Sequence, residues 1–173
     1  MSSVKRSEVS VEETWNLQDL FATEELFEAA LAELSDVSAA LEATFKGNIT
    51  DAESAANVIE AYENLYEKVV PVGTYANLSH SVDQTNPEAQ MRSAKVGQTM
   101  AKINAQTSFI TSELLALDEE VLQEVSTLKP QYTKYVSDLL KEKQYQLHPE
   151  VEKVLAAFGN AFKIPLLIKM DMP

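Results

Sequence analysis

The residues of this chain best suited to metal or proton chemistry are its two histidines, His80 and His148, and they lie far apart in sequence. A helical metal site needs ligands one turn apart, as two His four residues apart or as a Glu three residues before a His. Neither histidine has a second one four residues on, and the positions three before them are Asn77 and Tyr145. Both therefore read as solvated or helix-capping residues. The chain contains no cysteine, which excludes thiolate zinc sites, cysteine nucleophiles and disulfides. The acid clusters Glu24-Glu25 and Asp118-Glu119-Glu120 are placed as helix starts, where carboxylates meet the positive end of the helix dipole, rather than as acid/base pairs or calcium loops. Tyr62, Tyr66, Tyr75, Tyr132, Tyr135 and Tyr145 could line a peptide channel with their hydroxyls, but their helical spacing puts them first at the core or its edge. Trp15, alone in a polar arm, is expected to anchor that arm on the helical core. No catalytic, cofactor-binding or metal-binding residue is assigned in this chain.

The elements around these residues are helical. From Thr23 to Phe45, Phe27, Leu31, Leu34, Val37 and Leu41 recur at the helical period, and Gly47-Asn48 ends the stretch. Thr50 with Glu53 reads as a capping box opening a second helix with Val58, Ile59, Tyr62, Leu65, Tyr66 and Val69 on one face. The stripe resumes through Tyr75, Leu78 and Val82 after a kink or short break at Val70-Pro71. Asn86-Pro87 caps a third helix running through Met91, Ala94, Ala101, Ala105, Phe109 and Leu115. Its small residues Ala94, Gly97, Ala101, Ala105 and Ser108 predict a central helix that a neighbour approaches closely. A short helix opens at Asp118, another at Pro130 with Tyr132, Tyr135, Val136, Leu139 and Leu140 inward, and a last one at His148-Pro149. Strand alternation and hairpin turns are nearly absent. The fold class is all-α, an antiparallel bundle or array of about five to six helices with one kinked near Pro71.

Composition limits the function classes. With 45% apolar and 24% charged residues the chain reads as a folded globular domain. Its net charge of −13 repels phosphate backbones and anionic membrane surfaces, so no nucleic-acid or membrane partner is expected. No apolar stretch approaches the roughly 18 residues of a membrane span, and the first residues lack a signal-peptide core. The expected location is cytoplasmic.

The segment Arg6-Ser7-Glu8-Val9-Ser10-Val11-Glu12-Glu13-Thr14-Trp15-Asn16-Leu17-Gln18-Asp19-Leu20-Phe21 closely resembles the opening of oligoendopeptidase F proteins, whose Thr-Trp-Asp/Asn-Leu-x-Asp-Leu-Phe signature precedes the first long helix. Phe45-Lys46-Gly47, Tyr75-Ala76-Asn77-Leu78, and Leu139-Leu140-Lys141-Glu142-Lys143 leading to Leu147-His148-Pro149-Glu150-Val151-Glu152 are similar in kind and order. The resemblance implies a cytosolic zinc metallopeptidase that cleaves oligopeptides, with N-terminal helices roofing a channel over a C-terminal catalytic domain. The zinc site of that family is a helical HExxH with a further Glu ligand downstream, and this sequence contains no HExxH. Tyr145 stands where the family often has a His, so no role of that His carries over.

The organisation expected is an arm over residues 1–21, a helical N-terminal domain over 22–160 and an atypical tail over 161–173 that suggests truncation. The chain alone is expected to be inactive, with no cofactor of its own. Zinc belongs to the parent family, and the partners are the family's catalytic domain, in cis or in trans, and an oligopeptide substrate. The alternative is a stand-alone helical module that binds peptides or a partner protein; it would have a finished, polar surface, whereas the peptidase region would expose apolar side chains to its catalytic partner.

Overall fold

A computed structural model describes residues 9–10 and 15–145. Among the described residues there are six α-helices, α1 (Glu24–Phe45), α2 (Ala52–Val82), α3 (Pro87–Thr107), α4 (Phe109–Ala116), α5 (Glu119–Leu128) and α6 (Thr133–Tyr145), and no strand. The expected helix at His148-Pro149 lies outside them. Two 3-10 turns, Leu17–Asp19 and Pro130–Tyr132, precede α1 and α6.

Side-chain pairs give the directions. Glu24 meets Arg92, Glu28 meets Lys95 and Ser38 meets Gln106, at separations of 68, 67 and 68 residues, so α1 and α3 run the same way in register. Glu33 meets Lys68 while Phe27 meets Tyr75, so α2 runs opposite to α1. The first three helices are thus an up-down-up unit. Then α5 packs along α2, and α6 packs on α5 and α4. Phe27, Leu34, Val58, Leu65, Ile103, Leu114, Leu122 and Val125 are fully buried and form one continuous core through both parts.

Local chemistry sets the boundaries. The Thr23 hydroxyl accepts from the Leu26 amide at 3.4 Å and starts α1. Gly47, at φ +76°, ends the connection in the left-handed region that favours glycine, and its N–H donates to both carboxylate oxygens of Glu113 at 2.9 and 3.0 Å. The capping box of α2 lies one residue beyond the Thr50/Glu53 pair expected. The Asp51 carboxylate accepts from the Ser54 amide at 2.8 Å, and the Ser54 hydroxyl accepts from the Asp51 amide at 3.1 Å. A charged Asp at the cap gains from the helix dipole where a Thr does not, and this register turns Ala52, Ala55, Ala56 and Ile59 inward.

Of the kink or short break expected at Pro71, the break does not occur, since α2 continues through the proline as one helix. Leu65, Val69, Val72 and Ala76 are buried on both sides of the proline, at spacings of one helical turn, and their packing holds the two halves together. The carbonyl that Pro71 leaves without a donor belongs to Glu67, an exposed residue where water can serve it.

The third helix differs from expectation twice. It ends at Thr107, with α4 beginning at Phe109. Thr107 and Ser108 turn their hydroxyls back onto the carbonyls of Ile103 and Ala105, both at 2.9 Å, a competition with the backbone that bends helices. Its small residues Ala94, Gly97, Ala101, Ala105 and Ser108 also face outward instead of toward a neighbour. Val96 and Ile103, the large branched side chains, set the inner face together with Ala89 and Thr107.

Candidate functional site

The motif Trp15-Asn16-Leu17-Gln18-Asp19-Leu20-Phe21 is a capped 3-10 turn. The Asn16 side chain accepts from the Gln18 amide at 3.3 Å and donates to the Asp19 carboxylate at 2.8 Å. The turn points Phe21 into an aromatic group, edge-on to Phe27 (5.6 Å between centroids) and to Tyr75 (5.3 Å). The Arg92 guanidinium lies 5.0 Å from the Tyr75 centroid and 5.7 Å from that of Phe27, and it holds the Glu24 carboxylate through two bonds of 3.2 and 2.6 Å. The arm is therefore anchored by Phe21. Trp15, the expected anchor, is 77% exposed, because the turn directs Phe21 and not Trp15 at the core.

Two of the concave sites on the described surface gather charged or aromatic side chains. The first, about 360 Å³, follows the α1–α3 seam, and both of its cations are paired, Arg92 with Glu24 and Lys95 with Glu28, while Glu88 lines it as well. Its two cations are thus satisfied within the chain.

The second, about 490 Å³, lies between α2 and the segment 131–138 and is lined by Tyr62, Tyr66, Tyr132 and Tyr135 with Glu63 and Asp138. Tyr62 and Tyr66, one helical turn apart on α2, hold their rings 4.8 Å apart at 54°. The buried Tyr132 donates its hydroxyl to Glu63 Oε2 at 2.9 Å, tying the 3-10 turn before α6 to α2. Four of the six tyrosines considered for a channel thus converge here. Tyr75 belongs to the Phe21 group instead, and the Tyr145 side chain lies outside the described part. Tyr135, expected inward, stands at the rim with 37% of its surface exposed, while Val136 and Leu139 take the inner face of α6. The pairs Tyr62/Tyr66 and Tyr132/Tyr135, at i,i+4 and i,i+3, were the legible signal; Glu63 and Asp138 carried none.

Phenol ionisation is suppressed at Tyr62, Tyr132 and Tyr135. Burial is the largest cause for Tyr62, followed by the neighbouring Tyr66 hydroxyl, and the Tyr62 value is raised. Burial and then the bond to Glu63 push Tyr132 up to about 12, and burial followed by Glu142 raises Tyr135. The folded state therefore holds these protons more tightly than the unfolded chain, whose tyrosines titrate near ~10. The linked stability is fully present below about pH 10 and is lost as pH rises through about 12. Urea midpoints compared at about pH 9 and about pH 11.5 should fall more steeply in the natural protein than in Tyr132→Phe, which has no proton to lose at that position. Equal slopes would show that this bond does not tune the phenol.

Metal chemistry finds no donor set among the described residues, where no three His, Asp or Glu side chains cluster. His80 is half-buried in the last turn of α2, a position that suits a dipole-facing cap, and His148 lies outside the described residues. Glu24 and Glu25 occupy the first turn of α1, and Glu119 and Glu120 that of α5, as helix starts.

Residues 113–165 match the family model described as oligopeptidase F. Oligopeptidase PepF of Bacillus subtilis is 27% identical over 172 residues, covering 92% of this chain and 25% of its own length. An oligoendopeptidase F homolog of Lactococcus lactis subsp. lactis is 27% identical over 165 residues, covering 92% of this chain and 27% of its own length. The chain thus spans about a quarter of the length of the curated relatives it matches. Among solved structures, a candidate peptidase from Chlamydophila abortus superposes with a TM-score of 0.72 at 19% identity, over 92% of this chain and 28% of that one. Oligoendopeptidase-F from Enterococcus faecium superposes with a TM-score of 0.62 at 23% identity, over 81% of this chain and 28% of that one. At these identities the superpositions establish the shared fold. The resemblance carried by Thr14–Phe21 extends to most of the chain, which is similar in sequence to oligoendopeptidase F proteins.

Proposed function

We propose that this chain is the N-terminal helical region of an oligoendopeptidase F-like zinc metalloendopeptidase acting on oligopeptides in the cytoplasm. Residues 22–160 form the helical domain that covers the substrate channel, and residues 1–21 form its arm. Residues 161–173 are an atypical tail. The observation that carries the reading is the unequal coverage: 92% of this chain aligns with about a quarter of each relative. The catalytic residues are then supplied by the rest of the parent enzyme, in cis or in trans. The sequence has no HExxH, so no zinc-dependent step is assigned to this chain.

The test is cleavage of a quenched fluorescent oligopeptide with added zinc, by the purified chain alone and with the catalytic region of a relative supplied in trans. No turnover alone and chelator-sensitive turnover on mixing are expected. Chelator-sensitive cleavage by the chain alone would overturn the assignment. Inactivity in both arms, with the helices intact by circular dichroism, would favour the stand-alone binding module.

A further inference from the structure

We propose that the tyrosine groove between α2 and residues 131–138 binds the arginine side chain of an oligopeptide. The rings of Tyr62 and Tyr66 are half-buried and in mutual contact, and Tyr135 faces the same cavity from α6, so three π-surfaces converge on a space of about 490 Å³. That volume falls in the range of small-ligand sites, and converging aromatic faces attract a planar cation in preference to a neutral group.

The second component is a carboxylate. Glu63 is exposed and accepts one hydrogen bond, from Tyr132, whereas an ionised carboxylate can accept about four. No Lys or Arg among the described residues lies within ion-pair distance of it. The neighbouring acids differ, since Asp138 pairs with Lys141 and with Lys134, the one cation that lines the groove, and Glu60 pairs with Lys129. Glu63 is thus the groove's one carboxylate left for a guanidinium, in a chain whose net charge of −13 draws cations toward it.

Among the described residues the same arrangement occurs internally. Arg92 lies over Tyr75 and Phe27 while Glu24 grips its guanidinium from the side. The groove repeats that pair of rings and that flanking acid but has no arginine of its own among the described residues. This inference goes beyond the peptidase assignment and does not need it, because the binding groups all belong to this chain.

The test is titration of the full chain with an end-blocked Ala-Ala-Arg-Ala-Ala peptide, followed by NMR shifts of α2 and α6 amides, beside the same peptide with citrulline, which keeps the shape and removes the charge. The arginine peptide should bind about five- to tenfold more tightly than the citrulline one. Tyr62→Leu and Glu63→Gln should each erase most of that difference, and Tyr62→Phe, which keeps the ring, should preserve it. Equal affinity for the two peptides, no binding of either, or a preference untouched by Glu63→Gln would overturn the proposal. Glu63 is exposed, so its variant decides even where Tyr62→Leu weakens the fold. Each of these outcomes is read without catalysis and leaves the peptidase assignment to its own experiment.

Discussion

Phe27→Ala is expected to lower the stability of the fold by about 3–5 kcal/mol, the range found when a fully buried aromatic ring is truncated. Phe27 is 0% exposed and stands where three separate segments meet. Phe21 from the arm packs edge-on against it at 5.6 Å, Tyr75 from α2 lies at 5.1 Å, and the Arg92 guanidinium from α3 lies 5.7 Å from its centroid. Alanine there opens a cavity, removes the surface that holds the arm, and takes away one of the two rings beneath Arg92. Trp15→Ala, in the same arm but on an exposed side chain, should change stability by no more than about 0.5 kcal/mol. Urea unfolding followed by circular dichroism measures both. Comparable effects for the two variants would mean that the arm is anchored through Trp15 after all.

That contrast also marks what the sequence could and could not reveal. Helix existence was legible because large branched residues recur at the helical period in α1 and α2, and because Thr23 and Asn86-Pro87 are chemically unambiguous starts. Asn86 accepts from the amides of Glu88 and Ala89 at 2.9 and 3.3 Å, as its position promised. Where large residues are sparse, periodicity loses its direction. In α3 the outward face holds Ala94, Gly97, Ala101 and Ala105, and the inward one rests mainly on Val96 and Ile103, so counting small residues chose the wrong side.

The arm failed for a different reason. Both Trp15 and Phe21 are aromatic, and only the 3-10 turn at Leu17–Asp19, built from Asn16 and Asp19, determines which of them reaches the core. The groove was half legible. Helical spacing predicted that Tyr62 would share a face with Tyr66 and Tyr132 with Tyr135, but the meeting of the two pairs depends on how α6 packs on α5 and how the turn before it is tied to α2. That contact is non-local, fixed by burial of Leu122, Val125, Val136 and Leu139 rather than by any pattern within the tyrosine segments.

The return of α6 depends on one cation as well. Lys143 Nζ donates to the carbonyl of Leu115 at 2.9 Å and to that of Leu117, both at the C-terminal end of α4. The last carbonyls of a helix have no intrahelical donor and carry the negative end of its dipole, so an ammonium there satisfies two acceptors and the field together. Lys143→Met keeps most of the aliphatic stem but leaves both carbonyls without this donor. The expected loss is about 1.5–3 kcal/mol, the scale of hydrogen bonds to a charged group, with the amides of α6 exchanging faster than those of α1. Lys143→Arg should recover part of it, because a guanidinium can reach the same acceptors with a different geometry. A loss below about 0.5 kcal/mol in Lys143→Met would mean that water serves those carbonyls equally well. Apolar contacts of α6 with α5 would then hold the C-terminal helix by themselves, and the tyrosine groove with it.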